Sequence, residues 1–541
     1  MKLISLFLTH KPIKRIVHGL VYFFAILMLF GCDSFLNITP LNSIVLENYW
    51  KNESEVNSVV MSCYSNMEQG DFMRRVILWS EVRGDNLTEG SGLTLNQDLN
   101  DFYTNNLNSL NSYITWAPFY KVINLCNTVL YYAPKAQKND GNFSVDELKA
   151  YEAEAKSIRA LCYFYLIRSF QKVPLITQAT IGDDENFQVK ASSEEEVLSQ
   201  IISDLTWSLD YIWANNYFDN DASKKGRITL AAVQSMLADV YLWKGDYDNC
   251  VKYCDLVIND KIAEKEAETL YSEIGYFKGY PLLKSTTEDG EPHYAYTSIF
   301  GNKNSFESIF ELQFDENVLS NQGVSDYYGG IANINPGLFS SATYLINQGS
   351  SDLFSNKTDV RLSENINYTG TALKLYAVCK YRIAGWNSQE TALLRSNASN
   401  WIFYRLTDIM LMKAEALAYS DKNPEEAINL VKSVNFRSCK DTTKLSYDPS
   451  NLKELVMSER QRELMFEGKR WYDLVRMVRH STNPTQMMST LRSTYLMRRY
   501  QSNGSDIVNR LGSVNTLFLP ISQSEINTNP LLEDAQNPAY N

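Results

Sequence analysis

Apolar positions recur at helical spacing through most of this chain. In residues 152–170, EAEAKSIRALCYFYLIRSF, they fall at Ala155, Ile158, Cys162 and Tyr165, with Ser169 continuing the row and Leu161 and Leu166 beside it. That is one face of an amphipathic helix, and Val173-Pro174 stops it. Residues 229–258, TLAAVQSMLADVYLWKGDYDNCVKYCDLVI, predict a helix, a tight turn at Gly245-Asp246 and a second helix. Tyr241, Gly245, Tyr247, Cys250 and Tyr253 have the spacing of a tetratricopeptide helix pair, with Cys250 in the small packing position. Residues 411–435 repeat the scheme, with Asn423-Pro424 opening the second helix and Ala427 in the small position. Two pairs about 175 residues apart do not make a continuous array of ~34-residue repeats. The pattern predicts a mainly α scaffold over about 47–77, 110–175, 228–260 and 400–480, interrupted by loop-rich insertions with a few short strands.

The insertions, about 78–109, 261–399 and the C-terminal 481–541, have another chemistry. The first two are rich in Asn, Ser, Gly, Asp and Tyr. SFESIFELQFDEN (305–317) alternates like a strand, and SDYYGGIANINPGLF (325–339) reads as loop. Long loops on a rigid frame are where function is placed.

The chain starts differently. Lys2, Lys11, Lys14 and Arg15 precede an apolar run, Leu20–Phe30, that ends at Gly31-Cys32. Eleven residues of helix span roughly 16 Å, too short for a hydrocarbon core of about 30 Å. Basic start, short apolar middle and a small residue before a cut make a secretory signal. Leu29-Phe30-Gly31-Cys32 resembles a bacterial lipobox, which implies a signal peptide over 1–31 and lipidation of Cys32. Residues 32–541 are then expected to lie outside the cytoplasm, held by acyl chains.

Composition narrows the function. With 51 basic and 63 acidic residues the formal charge is −12, and loss of the signal makes it more negative, so nucleic acid is excluded as a partner. The cysteines beyond Cys32 are odd in number and scattered, which is no disulfide framework. Cys250 and Cys254 lie one helical turn apart but have no flanking His, and read as core. Only His293 and His480 follow the signal, which leaves little material for metal or Ser-His sites. No cofactor is expected. A structural calcium on so acidic a chain is conceivable, and no motif assigns it.

Residues 459–476, ERQRELMFEGKRWYDLVR, set opposite charges at i,i+3: Glu459-Arg462, Glu467-Arg470, Arg470-Asp473 and Asp473-Arg476. Leu464, Phe466, Trp471 and Leu474 crowd the same turns, so part of this ladder is expected to be buried. The stretch closely resembles the C-terminal hallmark of the SusD/RagB family. EAKSIRALCYFYLI…KVPLI (154–176), YRLTDIMLMKAEAL (404–417), LPISQSEINTNPLLEDAQNPAY (519–540) and FLNITP after Cys32 resemble its other segments, in order. The tail departs at Asp534-Ala535 and Ala539. The resemblance implies a single, mostly helical domain over 32–541 with tetratricopeptide-like pairs, and a nutrient-binding lipoprotein of the outer membrane, without catalysis. Its partners would be a glycan, or in some members a peptide, and a SusC-like TonB-dependent transporter over which it sits as a lid. A transporter lid with no small ligand of its own is the remaining reading.

A sugar offers hydroxyls and an apolar C–H face, so its site needs aromatic rings beside amides, carboxylates or Arg. LWSEVRGDNLTEG (78–90) brings Trp79, Arg83, Asp85 and Asn86 together, and its Arg-Gly-Asp-Asn core looks typical of the family. Tyr103, Tyr327, Tyr328 and Trp386 are further rings in loop-like sequence. These eight are the expected ligand contacts. A glycosidase pair would fall to Glu463 and Glu467, but their Arg neighbours should keep both ionised, the opposite of what a general acid needs.

Overall fold

The computed structural model describes residues 49–541 except 91, 182–187, 268–271, 287–292, 316, 330–336, 350–351, 368–375, 382–397, 440–448, 501–502 and 541. The signal segment, Cys32 and Trp386 lie outside the described residues. Residues 51–541 form one compact unit.

The scaffold is helical throughout. Its long helices are α1 (Glu53–Met67), α2 (Ala117–Asn139), α3 (Val145–Phe170), α4 (Glu194–Leu209), α5 (Leu230–Lys244), α6 (Tyr247–Ala267), α7 (Leu406–Tyr419), α8 (Pro424–Ser438), α9 (Leu452–Leu464) and α10 (Arg470–Arg479). Local chemistry sets their ends. Ser144 and Glu147 close a capping box on α3, and Ser193 and Glu196 do the same on α4. Gly245 ends α5 at the tight turn that the sequence predicts, and does so in the left-handed conformation, φ +81°. Asn423 caps α8 by accepting from the Glu426 amide, with Pro424 at the first helical position.

Helices stack in sequence order: α3 on α2 and α4, α5 on α6, α6 on α7, α7 on α8 and α9. The two tetratricopeptide-like pairs, far apart in sequence, are therefore neighbours in space. Cys250 and Cys254 are buried at that junction with sulfurs 4.0 Å apart. Among the described residues, no cluster of His, Cys, Asp or Glu suits a metal ion, and no helix is long and apolar enough to cross a membrane.

Two expectations are corrected. The insertion at 78–109 is mostly ordered: a wide helical turn (Leu78–Val82), strand β1 (Leu87–Glu89) and a helix (Gln97–Tyr103). Residues 325–328 belong to a helix, Gln322–Tyr328, which Asn321 caps by accepting from Val324 at 3.2 Å. The expected strand exists as β2 (Ser308–Leu312), but its alternation does not mean an exposed face. It pairs antiparallel with β4 (Trp401–Arg405), and every residue of both is buried. Polar Glu311 is kept inside by the Asn304 amide at 2.5 Å and Asn400 at 3.1 Å. Strand β3 (Phe339–Ser341) pairs with β1.

The charge ladder is also corrected. Residues 459–476 are two helices, not one, because Phe466 and Gly468 adopt φ +69° and +70° between α9 and α10. Only Glu459-Arg462 (2.7 Å) and Asp473-Arg476 (2.7 Å) keep the i,i+3 pairing. The other charges reach across the fold. Glu463 accepts from Arg405 at 2.6 Å, Arg361 at 3.1 Å and Arg437. Glu467 accepts from Arg405 at 2.7 and 2.8 Å and from Lys380 at 2.6 Å. Burial alone would raise both carboxyls, but the cations beside them hold both below the usual carboxylate range, Glu463 far below it. A cavity of about 30 Å³ beside Glu463 and Arg361 has room for one water or so.

Gly468 gives a direct check on the break. A Cβ there would lie 2.7 Å from Ser80 Oγ and 2.9 Å from the Trp401 ring. Gly468→Ala is expected to lose about 2–4 kcal/mol in denaturant unfolding, from left-handed backbone plus forced contact. Gly141→Ala, with open space around it, is the control.

Candidate functional site

The candidate site is built around residues 79–86, where the helix Gly70–Ile77 continues into the wide turn Leu78–Val82. Trp79 stacks on Phe119 at 4.8 Å and donates its indole N–H to the Tyr113 carbonyl at 2.9 Å. Arg83 lies over Trp471 at 4.3 Å and donates to the carbonyls of Leu517 (2.7 Å) and Thr516 (2.5 Å) and to Asn105 (3.2 Å). With these neutral partners, burial pulls its guanidinium down to about 10.

Asp85 is fully buried. It accepts from Arg470 at 2.6 and 3.0 Å, from the Tyr344 hydroxyl at 3.1 Å and from Arg498. Burial opposes its charge, but the two guanidiniums hold the carboxyl well below the usual range. Asn86 donates to Glu81 at 2.8 Å and accepts from Gln461 at 2.8 Å. Glu81 also accepts from the backbone amides of Phe466 (3.0 Å) and Arg470 (3.4 Å), yet burial dominates and pushes it up to about 7.

These contacts correct the expected ligand-binding set. Trp79, Arg83, Asp85, Asn86, Tyr103, Tyr327 and Tyr328 are all buried, so none offers its head group or ring to solvent. Tyr103 bonds to the Thr88 hydroxyl at 2.9 Å beneath Arg499. Tyr327 meets Phe339 edge-on at 5.4 Å, and Tyr328 stacks on Tyr381 at 5.9 Å. The reason is pairing: each polar group in 81–86 finds its partner inside the fold, which removes the cost of leaving water. The segment is the floor of the site.

The rim comes from residues that the sequence did not single out. Arg498 is half-buried, its side chain 31 % exposed, and its guanidinium lies 4.1 Å above the Tyr344 ring and 5.5 Å from Tyr495. Both tyrosines are themselves half-buried. Gln461 ties rim to floor, donating to the Tyr344 hydroxyl at 2.7 Å and accepting from Arg498 at 3.3 Å and Arg470 at 3.0 Å. Asp85 lies 413 residues from Arg498 along the chain, so no local pattern links them. The one sequence hint was a basic pair, Arg498-Arg499, in an acidic chain. A charged donor between two aromatic rings, held from below by a carboxylate, suits hydroxyl-rich or anionic ligands. It does not suit acid–base chemistry, since Asp85 is clamped in its ionised form.

Comparison with known proteins agrees with this architecture. The SusD family model matches residues 340–540, and a second model, described as starch-binding and associating with the outer membrane, matches 34–242. SusD-like protein P38 of Formosa agariphila is 25 % identical over 520 residues, covering 86 % of this chain and 92 % of that protein. A SusD homologue from Bacteroides thetaiotaomicron superposes with TM-score 0.69 at 19 % identity, over 91 % of this chain and 98 % of that one. A laminarin-binding SusD-like protein superposes with TM-score 0.63 at 20 % identity, over 91 % and 100 %. The chain belongs to the SusD/RagB family, a family of binding proteins rather than enzymes.

Two measurements check the floor. Asp85→Ala leaves Arg470 buried without its carboxylate and is expected to cost about 3–5 kcal/mol, part of which Arg470→Met in the same chain restores. Glu81 titrates in the opposite sense. Between about pH 4.5 and 7 the native state keeps a proton that the unfolded chain has released, so stability falls with rising pH, by about 3 kcal/mol in total. Glu81→Gln removes that slope, and unfolding curves from pH 5 to 8 measure it.

Proposed function

We propose that this protein is a surface lipoprotein of the outer membrane that captures a glycan at the Arg498 rim and hands it to a SusC-like TonB-dependent transporter. Cys32 carries the lipid, residues 1–31 are the signal removed before anchoring, and the folded domain acts as the lid over the transporter. The observation that carries the reading is the half-buried Arg498 side chain, its guanidinium beside the rings of Tyr344 and Tyr495 and set on a buried carboxylate in a SusD-family fold. Rings take the C–H face of a sugar, and a guanidinium and phenol hydroxyls take its hydroxyl groups. The laminarin-binding relative and the starch-binding description of the N-terminal family model support a glycan over a peptide.

Affinity electrophoresis in gels cast with laminarin, starch, xylan or mannan tests the capture step. At least one polymer is expected to retard the protein. Arg498→Ala should weaken that retardation by about 10–100-fold, the loss of a charged hydrogen bond of about 1.5–3 kcal/mol. Binding of casein-derived peptides instead, with no polymer retained, would refute the glycan reading. Palmitate labelling of cells should mark the wild-type chain and not Cys32→Ala, and copurification with a large outer-membrane barrel tests the transporter.

A further inference from the structure

A second surface, which shares no residue with the Arg498 cluster, combines an open aromatic ring with acidic acceptors. It lies where the loop following α4 meets α1 and α3. Tyr217 is 52 % exposed, and its ring rests on the Trp213 indole at 4.4 Å with 25° between their planes. Trp213 is held from below: its N–H donates to Glu154 at 2.9 Å, and its ring meets Tyr151 edge-on at 5.3 Å. Phe218 stands edge-on to Tyr217 at 5.1 Å, with Arg227 over it at 4.8 Å and anchored to Glu154 at 2.9 Å. One face of Tyr217 is therefore occupied by Trp213, which is itself hydrogen-bonded from below, and the ring remains half exposed.

The rim is acidic and amide-rich. Glu53 accepts from the Tyr151 hydroxyl at 2.8 Å, and the charges of Glu53 and Glu147 both bear on the Tyr217 hydroxyl. Asn216 and Asp219, on either side of Tyr217 in the chain, are exposed. A protein partner needs buried aromatic anchors over a broad apolar core. Here Trp213 is already buried and Phe218 half-buried, and the exposed neighbours Asn216, Asp219 and Asn220 of the open ring are polar. A pyranose fits this chemistry, with its C–H face on the phenol ring and its hydroxyls on carboxylates and amides.

We infer that Tyr217, supported by Trp213, is a second saccharide platform, which adds avidity for polymeric glycans to the binding at Arg498. The inference rests on the glycan reading above. Two weak sites on one polymer hold it more tightly than either alone.

The test uses the full chain in the same gels of laminarin, starch, xylan and mannan. With the polymer that retards wild type, Tyr217→Ala is expected to weaken retardation roughly tenfold, a modest gain for linked sites. Tyr217→Phe, which keeps the ring, restores most of it, and the melting temperatures of both variants confirm folding. If Tyr217→Ala migrates as wild type does in a retarding gel, the platform is overturned while the glycan reading stands. If none of the four polymers retards wild type, the glycan reading itself falls and takes the platform with it.

Discussion

Most buried carboxylates of this protein meet a cation, while Glu81 and Glu311 are held by amides, and residues 459–476 are where most of the ion pairing converges. Glu463 and Glu467 have almost no contact with water, and an ionised carboxyl in such a place is tolerated only when fully paired. Arg405 from strand β4, Arg437 from α8, and Arg361 and Lys380 from the long insertion supply the pairs. Alongside, Arg460 joins Asp408 and Asp473 at 3.0 Å, and Arg476 joins Glu415 at 2.6 Å. Such a network adds little net stability over an apolar core, but any other arrangement would leave a buried charge alone. It ties the helix stack, the short sheet and the insertion into one geometry.

The candidate site inherits that rigidity. Arg470 opens α10 and reaches Asp85, while Gln461 on α9 reaches Asn86, so the break between the two helices is clamped to the floor of the site. Arg499 donates to the carbonyls of Val82 (2.6 Å) and Gly84, and to that of Tyr103 at 2.5 Å. With the backbone below immobilised, Arg498 and its two tyrosines present a shape formed in advance of any ligand. Preorganisation of this kind lowers the entropic cost of capture.

The helix pairs were legible because their cause is local. A Gly at +81° ends α5, Asn423-Pro424 starts α8, and apolar spacing sets the faces between them. The charge ladder was half legible. Its i,i+3 arithmetic assumed a continuous helix, and two left-handed residues in Phe466-Glu467-Gly468 sent Glu467 and Arg470 to partners elsewhere. The ligand set was misplaced for a related reason. Trp, Arg, Asp and Asn in one segment look like a solvent-facing site, whereas Asp85 has a guanidinium waiting 385 residues further along.

From sequence alone came the helical class, the turns that join its pairs and the family, because each rests on residue types at short range. Tertiary structure alone decided which polar side chains face solvent. Burial of an ion depends on whether a counterion arrives from a distant part of the chain, and spacing along one helix carries no record of that arrival.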